Sequence, residues 1–117
     1  MATIQAPDLT TKVPRSGREK VGGYAWLARL ADKARAEDAG TGGEYTAYCP
    51  ISIGWLEHVG VTPGAFEGRI RDGASDEELV TFMDGHVLPG RKEAGNCYVL
   101  EDMSSRLDEQ DIAEGRG

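Results

Sequence analysis

Thr62 to Leu79 read Thr-Pro-Gly-Ala-Phe-Glu-Gly-Arg-Ile-Arg-Asp-Gly-Ala-Ser-Asp-Glu-Glu-Leu, and this stretch decides the fold class. Thr62 before Pro63 is typical of a helix start, because threonine caps free amides and proline suits the first helical position. Ser75 and Glu78 fit a capping box, with acidic residues at the positive end of the helix dipole. The stretch therefore predicts two helices that form an αα-hairpin through a short linker.

Helical signals continue toward the N-terminus of this hairpin. Pro50, with Cys49 as the capping residue, predicts a helix that ends at Gly60. Ser16-Gly17-Arg18-Glu19 also fits a capping box and predicts a helix start there. After a kink at two glycines, apolar residues at helical spacing predict a main helix from Tyr24 to Asp38.

The remaining segments carry weaker patterns. Residues 90–107 repeat apolar side chains at helical spacing but include the β-prone run Cys97-Tyr98-Val99, so helix and strand both stay open. Residues 1–13 predict an extended arm, and residues near 44–49 predict an extended segment. We expect an all-α fold, a compact single domain of four or five short helices over 14–107, and an acidic, frayed tail over 108–117.

Composition sets the class of protein. A chain of 117 residues fits one domain, and its formal charge is −7. We expect a soluble cytoplasmic protein, because no export signal or long apolar run is present. Two cysteines do not make a disulfide framework, so reduced thiols are expected. Whether Cys49 and Cys97 pair is left open.

Charge is divided unevenly along the chain. Residues 12–35 hold seven basic and two acidic side chains, whereas residues 51–117 hold six basic and fourteen acidic ones. The overall negative charge argues against nonspecific binding to nucleic acid. A local basic surface still suits one small anion or an acidic partner.

Several short runs are similar to one known family: Pro14-Arg15-Ser16, Gly22-Gly23-Tyr24, Arg29-Leu30, Asp32-Lys33-Ala34-Arg35-Ala36, Gly40-Thr41, Gly43-Glu44-Tyr45 and Cys49-Pro50. With Gly73 and Ser75-Asp76-Glu77-Glu78, they resemble the bacterial domain-of-unknown-function family 5069 over residues 9–88. The resemblance implies a small bacterial protein. It brings no activity, substrate or catalytic residue.

Arginine, aromatic and glycine residues crowd together between Pro14 and Pro50. Such a mixture is typical of a surface that recognises a protein partner, although the same aromatic residues also suit a hydrophobic core. Our leading hypothesis is a noncatalytic binding or interaction module, with another protein or a second copy of the chain as its partner. The surface would comprise Arg15, Arg18, Tyr24, Trp26, Glu44, Tyr45 and Tyr48.

Two alternatives involve small molecules. Cys49 before a helix would have its thiolate favoured by the helix dipole, which suits a nucleophilic or redox cysteine; it also suits a half-buried capping residue. Gly22 and Gly23, following basic residues, suit an anion site at a helix start, although no Walker or dinucleotide fingerprint is present.

We predict no metal and no cofactor. The two cysteines and two histidines, at positions 49, 58, 86 and 97, lack the close pairs of structural zinc sites.

Overall fold

The computed structural model describes residues 5–116, and the regular elements in this range are helical apart from one isolated β-bridge. The helices are α1 (Leu27–Ala39), α2 (Pro50–Val59), α3 (Pro63–Arg71), α4 (Asp76–His86), α5 (Arg91–Cys97), a π-helix (Tyr98–Asp102) and α6 (Ser104–Ala113). The predicted all-α class is confirmed, with six α-helices where four or five were expected. None of the helices described is long and apolar enough to cross a membrane.

Local capping explains the helices that the sequence locates best. The Thr62 hydroxyl accepts a hydrogen bond from the Ala65 amide at 3.2 Å, and α3 follows with proline in its first turn. At α4 the reciprocal capping box is complete, with Ser75 and Glu78 bonded to each other's amides at 3.1 and 3.0 Å. These predictions are confirmed because each depends on residues within one turn.

The predicted helix start at Ser16 is wrong. The Ser16 hydroxyl accepts from the Arg18 amide and donates to Asp111 at 2.8 Å. Gly22 and Gly23 both have positive φ, 58° and 82°, and form a two-residue turn flanked by a β-bridge between Val21 and Tyr24. Such a turn requires left-handed backbone at both positions, which diverts the chain from a helix. Helix α1 therefore begins only at Leu27.

Residues 90–107, left open between helix and strand, are helical. α5 runs into the π-helix, where the Met103 amide bonds the Tyr98 carbonyl, and α6 continues to Ala113. In the tail expected to fray from Asp108, α6 extends to Ala113 and the Glu114 side chain is only 7% exposed.

The N-terminal arm docks on the domain where it is described. Leu9 is buried, its amide donates to the Thr41 carbonyl, and the Thr41 hydroxyl donates to the Pro7 carbonyl. Residues 1–4 of the predicted arm lie outside the described residues. The connection near 44–49 is non-helical and leads into α2.

One apolar core holds the helices together. Helix α2 packs against both α5 and the π-helix, while α1 packs against α3. The largest fully buried side chains include Trp26, Trp55, Tyr24 and Phe66. This packing brings the first half of α1, the start of α2 and the π-helix together around an open cavity.

Candidate functional site

Arg15 is held by partners within the chain. Its guanidinium donates to Asp32 at 3.0 Å and to Asp76 at 2.8 Å, and Arg35 donates to Asp76 as well. The hydrogen bond from Arg15 holds the pKa of Asp76 below its usual value. Arg15 therefore joins the N-terminal segment to α1 and α4.

Arg18 joins the N-terminal segment to α6. Its guanidinium donates to the Ser104 carbonyl at 3.0 Å and to the Asp108 carboxylate, and lies 3.6 Å from Asp111. Like Arg15, it is about one-third exposed and already paired with carboxylates.

Tyr24 and Trp26 belong to the core. They are 1% and 0% exposed, so the expectation that they lie on an exposed recognition surface is wrong. The Tyr24 hydroxyl donates to Asp84 at 2.7 Å, and the Trp26 indole donates to the Ser52 hydroxyl at 3.0 Å.

Gly22 and Gly23 form a surface turn whose carbonyls are bound. Lys92 donates to the Gly22 carbonyl at 2.7 Å and Asn96 to the Gly23 carbonyl at 2.9 Å. No helix begins here, so the helix start that the anion-site hypothesis required is absent from this part of the described chain. A Cβ on Gly22 would lie 2.5 Å from a Val80 methyl, which gives the glycine a packing role.

The predicted site residues in the connection between α1 and α2 do not lie at one place: Glu44 and Tyr45 lie together, and Tyr48 lies apart from them. The Tyr48 hydroxyl donates to Glu67 at 2.6 Å, away from the others. Tyr45 and Glu44 lie beside Cys49 on the wall of a cavity of about 450 Å³, and Glu44 is exposed at its rim. Lys33, Tyr98 and Met103 contribute to the same cavity.

Cys49 precedes α2 and hydrogen-bonds Ser52, three residues later. The indole N–H of Trp26 can only donate, so the Ser52 hydroxyl oxygen accepts from it. The Ser52 Oγ lies 3.5 Å from the Cys49 Sγ, and either atom can donate when the sulfur is a thiol. A thiolate can only accept, so the Ser52 hydroxyl is its donor in that state.

Trp26 itself has a constrained backbone. Its φ is 75°, and it is the one non-glycine residue with positive φ among residues 5–116. A Cβ on Gly17 would lie 2.6 Å from the Trp26 ring, so a glycine there leaves room for the indole. Left-handed backbone at a bulky residue is unfavourable and is often associated with functional sites.

Lys33, in α1, is the second residue whose side chain hydrogen-bonds Cys49. The lysine is 5% exposed, and its Nζ lies 3.6 Å from the Cys49 Sγ. Its Nζ also lies 5.5 Å from the centroid of the Trp26 ring, a cation–π contact. Among the described residues, the Cys49 thiol is the group that hydrogen-bonds the Lys33 amine.

The pKa values of this pair are shifted by opposing effects. Burial lowers the pKa of Lys33, because the charged ammonium is poorly solvated. Burial alone would raise the pKa of Cys49, but the Ser52 hydroxyl, the Lys33 charge and the Ser52 and Ile51 amides hold it below its usual value. These groups favour a thiolate at the helix start.

A buried ion pair closes the cavity beside Lys33. Arg29 is 2% exposed and donates to both Glu114 carboxylate oxygens, at 2.9 and 2.7 Å. Tyr45 donates to Glu114 at 3.2 Å. Because Glu114 neutralises Arg29, the Cys49 sulfur, 3.6 Å away, is left as the partner of the Lys33 amine.

The π-helix forms another part of the wall. The Tyr98 ring stacks on His58, with centroids 4.4 Å apart and planes 18° apart. A Cβ on Gly54 would lie 2.2 Å from the Tyr98 hydroxyl oxygen, so Tyr98 needs a glycine at that position of α2. π-helices are rare and recur at functional sites.

Sequence reasoning found Cys49, Glu44 and Tyr45 but missed Lys33 and Ser52. One available signal was the Cys-x-x-Ser spacing at a helix start, which matches the spacing of redox Cys-x-x-Cys motifs. The other was a basic residue at helical spacing from Trp26 and Leu30, on an otherwise apolar face.

The second cysteine is separate from this cavity. Cys97 is exposed on α5, and both cysteines are free thiols. His58 is stacked on Tyr98, and its Nδ1 bonds the Gly54 carbonyl. Among the described residues, no group of three or more His, Cys, Asp or Glu side chains is arranged to hold a metal ion.

Comparison with known proteins matches the chain to one family model. The model is described as Domain of unknown function (DUF5069) and matches residues 11–116. No match was found among curated proteins.

Proposed function

We propose that this chain, which belongs to the DUF5069 family, is a small thiol-dependent protein in which Cys49 carries out thiol–disulfide exchange with a small-molecule disulfide. One observation carries the proposal: the Cys49 Sγ lies at the start of α2, 3.6 Å from the amine of the buried Lys33. A buried cation and a helix start both favour the thiolate, which is the nucleophilic form of cysteine.

The attack on the disulfide needs no side chain of the protein beyond the Cys49 thiolate. The Cys49 sulfur attacks one sulfur of the disulfide, a new S–S bond forms, and the other half leaves as a thiolate. Cys49 is oxidised to a mixed disulfide while the leaving sulfur is reduced. Ser52 occupies the position of a resolving cysteine, so a second thiol from solution must release the product.

Exchange fits this site better than acyl transfer. The side chains that hydrogen-bond Cys49 are Lys33 and Ser52, and no histidine or carboxylate does so in the described chain. Acyl transfer through cysteine usually depends on such a base. Exchange depends mainly on the fraction of thiolate and on access to the sulfur, and the cavity of about 450 Å³ gives that access.

The interaction-module and anion-site hypotheses remain predictions with less support. Arg15 and Arg18 are paired with carboxylates of the same chain, so binding a partner would have to displace those pairs. The Gly22-Gly23 turn does not begin a helix, whereas the anion site would use the free amides of a helix start.

The thiolate is tested by the pH dependence of alkylation. With Cys97→Ser as the background, iodoacetamide reports Cys49 alone. We expect the midpoint of the rate against pH to lie below the value of about 8.5 for free cysteine. Lys33→Met should raise that midpoint, whereas Lys20→Met, which removes an exposed lysine, should leave it unchanged.

A second measurement tests the exchange itself. The Cys97→Ser protein is incubated with an excess of a small disulfide, and intact mass is expected to show one mixed disulfide that a dithiol reverses. An alkylation midpoint at or above that of free cysteine, together with no mixed disulfide, would contradict the proposal.

A further inference from the structure

Lys33 is more than an electrostatic neighbour of Cys49, because its amine is also the nearest nitrogen nucleophile in a side chain. We propose that, when a hydroperoxide oxidises Cys49, Lys33 captures the oxidised sulfur as an intramolecular sulfenamide. The proposal shares with the proposed function only the requirement that Cys49 be a reactive thiol. It adds a modification site comprising two side chains of the same chain.

The first step is the ordinary oxidation of a thiolate. The Cys49 sulfur attacks one oxygen of the hydroperoxide, an S–O bond forms and the O–O bond breaks. Sulfur loses two electrons, and the peroxide gains them and leaves as an alcohol or as water after taking a proton. The product is a sulfenic acid at Cys49.

The second step is a condensation without further redox change. The lone pair of the Lys33 amine attacks sulfur, an S–N bond forms, and the S–O bond breaks. The hydroxyl leaves as water with a proton from the amine. Sulfenic acids condense in this way with thiols or with nitrogen, according to which lies nearest.

The geometry favours nitrogen over sulfur as the capturing atom. The Nζ of Lys33 and the Sγ of Cys49 are already in contact at 3.6 Å. Ser52 stands where a Cys-x-x-Cys site has its second thiol, and Cys97 is not among the residues that line the cavity. Lys33 thus takes the place of a resolving cysteine.

Burial makes the amine competent for this step. The thiolate favours the ammonium form of Lys33, and oxidation of Cys49 to an uncharged sulfenic acid removes that effect. Lys33 is 5% exposed, so burial then increases the fraction of free amine. Proton transfer from Lys33 to the departing hydroxyl or to solvent then leaves no charge inside the fold. The cross-link also ties α1 to the start of α2 and removes the sulfur from further oxidation to sulfinic acid.

The experiment uses the full chain with Cys97→Ser. The protein is treated with one equivalent of hydrogen peroxide, digested with trypsin and analysed by mass spectrometry. We expect one product in which the peptides of Lys33 and Cys49 are joined with the loss of two hydrogens. Trypsin should fail to cleave after Lys33, and a dithiol should restore cleavage.

Lys33→Arg is the matched variant, since it keeps the positive charge but replaces the amine by a poor nucleophile. We expect this variant to accumulate sulfenic acid, measured as at least tenfold more labelling by dimedone than in the parent, and then sulfinic acid. Lys20→Arg should behave as the parent does. The parent digest decides the proposal by itself if Lys33→Arg does not fold.

Three results would overturn the inference. Equal dimedone labelling of parent and Lys33→Arg would show that the amine does not capture the sulfur. Normal cleavage after Lys33, with a sulfenamide to a backbone nitrogen, would assign the capture to another atom. Alkylation with a lowered midpoint but no cross-link would overturn the sulfenamide and leave the proposed exchange intact.

Discussion

At the scale of the residue, Ser52 links the core to the candidate site. Its oxygen accepts from the indole of Trp26, and its hydroxyl can donate to the Cys49 thiolate. Ser52 is fully buried, so this hydroxyl has no access to water. One side chain therefore satisfies a buried donor and tunes a thiol.

Ser52→Ala should affect stability and reactivity together. The variant leaves the Trp26 indole N–H without a partner, which costs about 1–3 kcal/mol in a buried position. It also removes a hydrogen bond to the thiolate, so the pKa of Cys49 should rise. Urea unfolding and alkylation against pH measure the two effects.

Ser105→Ala is the control, because Ser105 is exposed on α6. If Ser52→Ala and Ser105→Ala unfold at the same urea concentration and Cys49 reacts alike in both, the role given to Ser52 is wrong.

Only some of the site residues could be predicted from the sequence. Cys49 was found because its position before Pro50 is a local pattern. Lys33 matters through its contact with Cys49, and Ser52 also through its contact with Trp26, and these two contacts join residues that are distant in sequence. Tyr24 and Trp26 were misplaced because their residue types suit a core and a recognition surface equally.

At the scale of the element, the interface between α2 and the π-helix depends on the absence of a side chain. Gly54 lies in the interior of α2, where alanine would normally be the better helix former. The Tyr98 hydroxyl occupies the space a Cβ would need, 2.2 Å away, and His58 stacks on the face of the Tyr98 ring.

Gly54→Ala should therefore destabilise the protein, by about 1–3 kcal/mol, because overpacking forces side chains or backbone to move. Gly68→Ala in α3 is the matched substitution, since nothing lies within 4 Å of the added Cβ. It should instead stabilise the protein by roughly 0.5–1 kcal/mol, the difference in helix propensity. Thermal and urea unfolding of both variants measure whether the free energy of unfolding falls for Gly54→Ala and rises for Gly68→Ala.

Stabilisation of the protein by both substitutions would show that Tyr98 moves away without cost. In that case Gly54 is not what positions the wall of the cavity.

Helix boundaries show which elements the sequence can specify. The starts of α3 and α4 were predicted because their caps are short motifs. The Ser16 motif matches the same pattern, yet the following Gly22-Gly23 turn keeps the chain from forming a helix. The π-helix was missed because its extra residue is stabilised by tertiary packing and has no simple sequence period.

At the scale of the whole molecule, buried and half-buried ion pairs connect distant parts of the chain. Arg29 in α1 pairs with Glu114 after α6, and Arg116 donates to both Glu114 and the Pro14 carbonyl. Arg15 bridges Asp32 and Asp76. The segments before α1 and after α6 are thus held on the same side of the core.

Glu114→Ala should cost about 3–5 kcal/mol, because it leaves the guanidinium of Arg29 buried without its partner. Glu109→Ala, at a 73% exposed position with a 3.8 Å contact, should change stability by less than about 0.5 kcal/mol. Urea unfolding at neutral pH compares the two.

Lowering the pH should reduce the difference in stability between the parent and Glu114→Ala. Burial works against the Glu114 carboxylate, but hydrogen bonds from Arg29 and Arg116 hold its pKa below the ordinary value of 4.5. The stabilisation by the ionised Glu114 carboxylate is present in full above pH 4.5, and it is lost as the pH falls through the lower pKa of the folded state. The parent and Glu114→Ala should thus converge in stability below pH 4.5, and a constant difference down to low pH would contradict the assignment.

The π-helix has a consequence for how the chain tolerates changes in its length. Each residue of an α-helix advances the chain by about 100° around the axis. The wide turn between Tyr98 and Asp102 holds one residue more than a regular helix would, so deleting one residue there would let a regular helix form while α6 keeps nearly the same orientation. Deleting one residue between Ser104 and Arg106, at the start of α6, would instead rotate the rest of the helix by that angle and turn Leu107 out of the core. The chain should therefore tolerate the loss of a residue in the π-helix better than in the helix that follows it.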